Sequence, residues 1–127
     1  MILKKILIVD DDESSLFMLN DILKKLGFIN IIKACDGVEC MNIYNQNNDF
    51  DIIFVDLKMP KCSGYDVIKS IRGLNKNVTI IVLSAYDSED IKKISILSGA
   101  NEYIAKPITI EKMKKLLKNI IWDILKK

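Results

Sequence analysis

Residues 52–60 read Ile52-Ile53-Phe54-Val55-Asp56-Leu57-Lys58-Met59-Pro60. The first four are continuously apolar, and a strand that is apolar on both faces suits a sheet covered on both sides. The run ends on an acid, and Pro60 and Gly64 punctuate the loop after it. Upstream, Lys5-Ile6-Leu7-Ile8-Val9 is a compact strand that stops at Asp10-Asp11-Asp12. Downstream, Val78 to Leu83 is a further strand that stops at Ser84. Asn30 to Ala34 and Asn101 to Ala105 complete a set of five.

Helical periods separate these strands. From Glu13 to Leu26, an inward stripe of Met18, Leu19, Ile22, Leu23 and Leu26 is expected, closed by Gly27. Asp36-Gly37 turns into a helix through Val38, Met41 and Tyr44. Tyr65 to Leu74 carries Val67, Ile68 and Ile71 inward. Ile91, Ile94 and Leu97 support a helix that closes at Gly99. Thr109 caps the last helix, with Glu111 in its first turn. Its buried stripe is Ile110, Met113, Leu117, Ile120 and Ile124. Alternation of this kind means a parallel α/β sheet with helices on both faces. The 127 residues suffice for one such domain, expected to span 1–127.

Composition narrows the chemistry. Half the residues are hydrophobic and 28% are charged, as in a folded domain. Nineteen basic against 17 acidic residues leave +2, too mild to argue for nucleic acid. With no histidine, the chain has no Ser-His-Asp or Cys-His machinery and no HExxH zinc site. Any phosphohistidine must come from another protein. Cys35, Cys40 and Cys62 form no CxxC, and no apolar run approaches transmembrane length. A reducing cytosol with free thiols is the expected compartment.

In a parallel α/β sheet the working groups sit at the carboxyl ends of the strands. Strand one delivers Asp10, Asp11 and Asp12, strand three Asp56, strand four Ser84 and strand five Lys106. Converging carboxylates repel one another unless a cation joins them. A hard divalent cation such as Mg2+ meets that need with one or two carboxylates and water. Lys106 and the Ser84 hydroxyl then face anionic oxygens, which makes a phosphoryl site with Asp56 as nucleophile. Asp12 reads as a helix cap.

The order Ile8-Val9-Asp10-Asp11, Val55-Asp56-Leu57-Lys58-Met59-Pro60, Leu83-Ser84-Ala85 and Lys106-Pro107 resembles the receiver domains of bacterial two-component response regulators. Gly64 and Gly99-Ala100-Asn101-Glu102-Tyr103 fit as well. The resemblance runs from Lys5 to the last helix. It implies a flavodoxin-like (βα)5 three-layer sandwich with sheet order 2-1-3-4-5. It implies that Asp56 takes a phosphoryl group, with self-catalysed phosphorylation, from a sensor histidine kinase or histidine phosphotransfer protein. Asp10, Asp11, Asp56 and the backbone carbonyl of Lys58 would hold Mg2+. Ser84 and Lys106 would contact the phosphoryl oxygens, and the Lys106-Pro107 bond would be cis. Ser84 and Tyr103 would switch a surface made by helix four, strand five and helix five, for a protein effector or for passing the group on. The implied protein is cytoplasmic, a monomer or phosphorylation-linked dimer, with no membrane or direct nucleic-acid role.

Some positions are particular to this chain. Cys62 stands in the loop after Asp56 and reads as a small packing residue. Lys58 and Tyr86 lie two residues after Asp56 and Ser84, flanking the line a water takes to the acyl phosphate. A similar pairing marks single-domain phosphorelay intermediates, and a long-lived phosphoryl group with slow autodephosphorylation is expected. Phe17 falls off the inward stripe and Leu16 lies at its edge, both near the acidic site, and they suggest where a histidine donor docks. Trp122 and the lysines of the last helix read as an outer face. A second class is also visible: Asp10-x-Asp12-x-Ser14 loosely resembles haloacid-dehalogenase phosphatases, with Asp10 as nucleophile and Asp12 as acid/base. A flavodoxin-type FMN carrier shares the fold, but three acids after strand one would repel the FMN phosphate.

Overall fold

The computed structural model describes residues 5–59, 63–86 and 88–126, with the side chains of 121–126 outside the description. The readings made of Cys62, Trp122 and Ile124 therefore lie outside the described residues. Five strands alternate with five helices: β1 (Lys5–Val9), α1 (Glu13–Lys25), β2 (Asn30–Ala34), α2 (Gly37–Gln46), β3 (Ile52–Asp56), α3 (Gly64–Leu74), β4 (Thr79–Ser84), α4 (Glu89–Ser98), β5 (Glu102–Ala105) and α5 (Ile110–Lys126). The sheet is parallel, in the order β2-β1-β3-β4-β5. β3 is buried along its whole length, as its apolar run requires.

Alternating strand residues feed two cores. Leu7, Val9, Ile53, Val55, Ile80 and Val82 face α2 and α3, where Tyr44, Val67, Ile68 and Ile71 meet them. Ile6, Ile8, Ile52, Phe54, Ile81 and Leu83 face α1 and α5, which bring Leu19, Leu23, Met113 and Leu117. α1 ends in a Schellman turn: Gly27 N–H donates to the Lys24 carbonyl and Phe28 N–H to that of Leu23. Gly27 supplies the required positive φ of 102°. Thr109 Oγ1 accepts from Lys112 N–H and caps α5 as expected.

Two helix faces differ from the expected stripes. On α1 the buried residues are Leu16, Leu19 and Leu23, while Met18 is exposed. Leu16 is only 7% exposed and belongs to the core, not to an outer surface. Leu19, Ile22, Leu23 and Leu26 of the expected stripe lie in or against the core, so Met18 alone leaves it, and Leu16, on the other side of Leu19, takes its place. On α4, Ile94 and Leu97 point outward and Ser95 is the fully buried side chain. Ile91 belongs to both an i, i+3, i+6 row of apolar residues and an i, i+4, i+7 row with Ser95 and Ser98. The sheet takes the second row, so serines face in.

Candidate functional site

The parallel register sets the rim. Val9 pairs with Val55, Asp56 with Leu83, and Ser84 with Ala105. Asp10, Asp56, Ser84 and Lys106 therefore emerge side by side at the carboxyl edge. They line an open cleft of about 690 Å³, together with Lys58, Tyr86 and Ile91. Gly64 lets α3 start directly against this edge. A Cβ there would press on the Asp56 carbonyl oxygen and come within 2.7 Å of Leu57 Cα.

Asp10 and Asp56 are both buried. Asp10 Oδ2 accepts from the Lys106 ammonium at 2.8 Å, and Asp10 Oδ1 accepts from Asp12 N–H at 3.0 Å. Lys106 lies 3.4 Å from Asp56 Oδ1. Burial pushes the Asp56 carboxyl up, the Asp10 charge adds to the rise, and Lys106 opposes both, leaving a pKa of about 6. Burial alone would lower the Lys106 pKa, but its bonds to Asp10 and Asp56 outweigh that and hold it above its ordinary value.

One carboxylate oxygen each from Asp10, Asp11 and Asp56 lies within 4.8 Å of the others. Three hard oxygen donors at that spacing, two of them on buried residues, fit a small divalent cation. Burial first, and the Asp10 charge second, make the ionised Asp56 costly, and a bound cation would offset both. Asp12 is not part of this set. It caps α1, accepting from Ser14 N–H at 3.2 Å and from Ser15 Oγ at 2.9 Å. An acid/base role in a dehalogenase-like phosphatase finds no free group there.

Ser84 is buried and its Oγ accepts the Tyr86 N–H at 3.1 Å. With that lone pair used, its own proton is left to donate into the cleft. Tyr103 is half-buried against the cluster that holds Val55 and Val82. Its hydroxyl is already out of solvent, with no hydrogen-bond partner among the described residues. The Lys106-Pro107 bond is cis, as the resemblance implied.

Lys58 and Tyr86 reach each other over the cleft. The Lys58 ammonium lies 3.4 Å from the Tyr86 hydroxyl and 5.5 Å from its ring centroid. Sequence reading placed both beside the acceptor but did not foresee this contact. Phe17, at 71% exposure, stands outward on α1 with Met18 next to it; both line a shallow hollow with Lys33, Cys35 and Glu39, separate from the acidic cleft. Met18 was missed as a surface residue because its spacing also fits the inward stripe.

The chain resembles known proteins over nearly its whole length. The model of the response regulator receiver domain matches residues 6–118. A probable chemotaxis protein CheY of Rhizobium etli is 35% identical, with 91% of each chain covered. Sporulation initiation phosphotransferase F of Bacillus subtilis is 28% identical, over 95% of this chain and 96% of that one. The CheX-CheY-BeF3-Mg+2 complex from Borrelia burgdorferi contains a chain that superposes with a TM-score of 0.87, at 31% identity, covering 93% of this chain and 89% of that one. With four strand ends in the geometry described above, the chain belongs to the response regulator receiver domain family, the phosphoacceptor signalling proteins of two-component systems.

Proposed function

We propose that Asp56 is the phosphoacceptor and that Asp10, Asp11, Asp56 and the Lys58 backbone carbonyl hold Mg2+. The observation that carries this is the position of the Asp56 carboxylate, which is both in the acidic trio and 3.4 Å from the Lys106 ammonium. When bound, Mg2+ supplies positive charge against the carboxylates and the incoming phosphoryl oxygens. An Asp56 oxygen attacks phosphorus, the new O–P bond forms as the donor's P–N bond breaks, and the departing imidazole takes a proton from water. Lys106 and the Ser84 hydroxyl then hold phosphoryl oxygens. As in the receiver family, the donor is a phosphohistidine, and because the chain has no histidine it lies on another protein, a sensor kinase or phosphotransfer protein. A small acyl phosphate can serve in its place, since the reacting groups belong to this chain.

The Lys58–Tyr86 contact supports slow autodephosphorylation. Both residues line the cleft with Asp56, and on this reading a water would have to pass their contact to reach the acyl phosphate. The exposed Phe17, on the helix that follows Asp10 and Asp11, is the docking residue for the histidine donor, while Leu16 is buried in the core. On phosphorylation Ser84 draws toward the phosphoryl group, and Tyr103 settles into the space it leaves. The surface of α4, β5 and α5 changes with it and presents the signal to a protein effector. Among the described residues no helix is long and apolar enough to cross a membrane. A cytoplasmic working place follows from the kinase or phosphotransfer partner proposed above.

Borohydride reduction tests the assignment. Acyl phosphates are reduced to the alcohol, so a chain treated with acetyl phosphate and Mg2+ should carry homoserine at position 56. Homoserine at position 10 would instead make Asp10 the nucleophile and favour the phosphatase reading.

A further inference from the structure

The Arg72 guanidinium, on the last turn of α3, is engaged on every nitrogen. Nε donates to the Gly99 carbonyl at 2.9 Å. One terminal nitrogen donates to the Asn75 and Val78 carbonyls at 3.2 and 2.7 Å. The other donates to Asn101 Oδ1 at 2.8 Å, an atom that also accepts the Ile80 N–H at 2.8 Å. Asn101 N–H closes the loop onto the Ile80 carbonyl at 2.8 Å. One planar fork thus ties the end of α3, the start of β4 and the C-cap of α4 together. Gly99 lies against the arginine stem with φ +123°, where a Cβ would come within 3.1 Å of Arg72 Cγ.

The rest of α4 is held far less firmly. Its fully buried side chain is Ser95, whose hydroxyl donates to its own helix at the Ile91 carbonyl, 2.7 Å away. Ser98 does the same to Ile94. Such back-bonding bends helices and contributes no anchoring to the sheet. Ile94, Ile96 and Leu97 are exposed, Leu97 at 86%. The other end of the helix begins at the Ser88 cap, and Ile91 in its first turn lines the cleft with Asp56 and Ser84. A ten-residue helix spans about 15 Å, so its two ends feel different surroundings.

We propose that Arg72 is a positioning residue for signalling: it pins the C-terminal end of α4, so that phosphorylation moves the end facing the cleft about a fixed pivot. The proposal rests on the phosphoacceptor reading above. A helix free at both ends would slide or melt, and the cleft event would spread over its whole length. With the far end clamped, displacement of Ser84 and Ile91 becomes a tilt of the exposed Ile94–Leu97 face.

Amide hydrogen exchange, read residue by residue with Mg2+ and with or without acetyl phosphate, tests this. Intact mass is taken on the same samples. The near end is read at Lys92 N–H, which bonds the Ser88 carbonyl, and the far end at Gly99, Ala100 and Asn101, whose N–H groups are also bonded. In the native chain the Lys92 rate should change at least about fivefold on phosphorylation, and the three far-end rates less than about twofold. In Arg72→Lys, which keeps charge and stem but loses the fork, the change should extend to Gly99 and Ala100. Equal changes at both ends of the native helix would overturn the pivot, as would an Arg72→Lys chain that keeps the native contrast. Failure to form the phosphoryl adduct would overturn the underlying reading instead, and the mass measurement tells the two apart. If Arg72→Lys does not fold, the native contrast alone decides.

Discussion

The Lys106 ammonium sits 2.8 Å from Asp10 Oδ2, closer than to Asp56, although Asp56 is the residue expected to react. Lys106 therefore neutralises the buried Asp10 carboxylate, the proposed metal ligand, and leaves Asp56, the proposed acceptor, only partly paired. Replacing Lys106 by Met should leave Asp10 as a buried charge without its cation. The expected loss in metal-free buffer is about 2 kcal/mol, below the range for fully buried pairs because the Lys106 side chain is partly exposed. Asp10→Asn in the Lys106→Met background should recover most of it. Urea unfolding of the four chains of the double-mutant cycle measures the coupling.

The raised Asp56 pKa makes stability depend on pH when Mg2+ is removed by chelator. The folded chain holds this proton more tightly than the unfolded chain does. The stabilisation from Asp56 is thus full below its unfolded value of 3.8 and is lost as pH rises through about 6. Asp56→Asn should remove that decline and be more stable than the native chain at pH 7 by on the order of 2 kcal/mol. Thermal melts at pH 5 and pH 7.5 in chelator would show it as a gap that widens with pH.

Lys58 and Tyr86 touch each other, so their effects on phosphoryl lifetime should not be independent. Lys58→Ala and Tyr86→Ala should each speed decay of the adduct several-fold. The double variant should decay more slowly than the product of the two factors, because either change already opens the contact. Decay of the hydroxylamine-sensitive adduct in Mg2+ buffer gives all three rates.

Two neighbouring residues on α1 should separate docking from folding. Phe17→Ala should slow transfer from a phosphohistidine donor by about tenfold, in line with the loss of an apolar contact residue, and leave acetyl phosphate labelling unchanged. Leu16→Ala should instead cost about 2–4 kcal/mol of stability, as a buried leucine does. A Phe17→Ala chain slowed equally with both donors would place Phe17 in the site and not in a docking surface.

The strands and the four strand-end residues were legible because each rests on a strong local pattern, whereas the sheet order was implied by the family resemblance. Ile52–Val55 is apolar on both faces, and acids, a serine and a lysine stand where parallel strands end. Helix faces were less legible. Ile91 starts two stripes on α4, and only packing on the sheet selects the one with Ser95. On α1, Leu16 and Met18 have similar hydrophobicity, so the stripe can be drawn on either side. The Arg72 clamp was not foreseen at all. Its partners are mostly backbone carbonyls, which leave no mark on sequence, and Asn101 lies 29 positions away.

The central claim is that one aspartate, Asp56, takes the phosphoryl group with the help of a metal held by Asp10. Intact mass after incubation with acetyl phosphate and Mg2+ tests it most directly, on the native chain, Asp56→Ala and Asp10→Ala. The account predicts a single hydroxylamine-sensitive phosphoryl adduct on the native chain, absent from Asp56→Ala, much reduced in Asp10→Ala and lost in chelator. Steady release of phosphate that survives in Asp56→Ala and disappears in Asp10→Ala would contradict it.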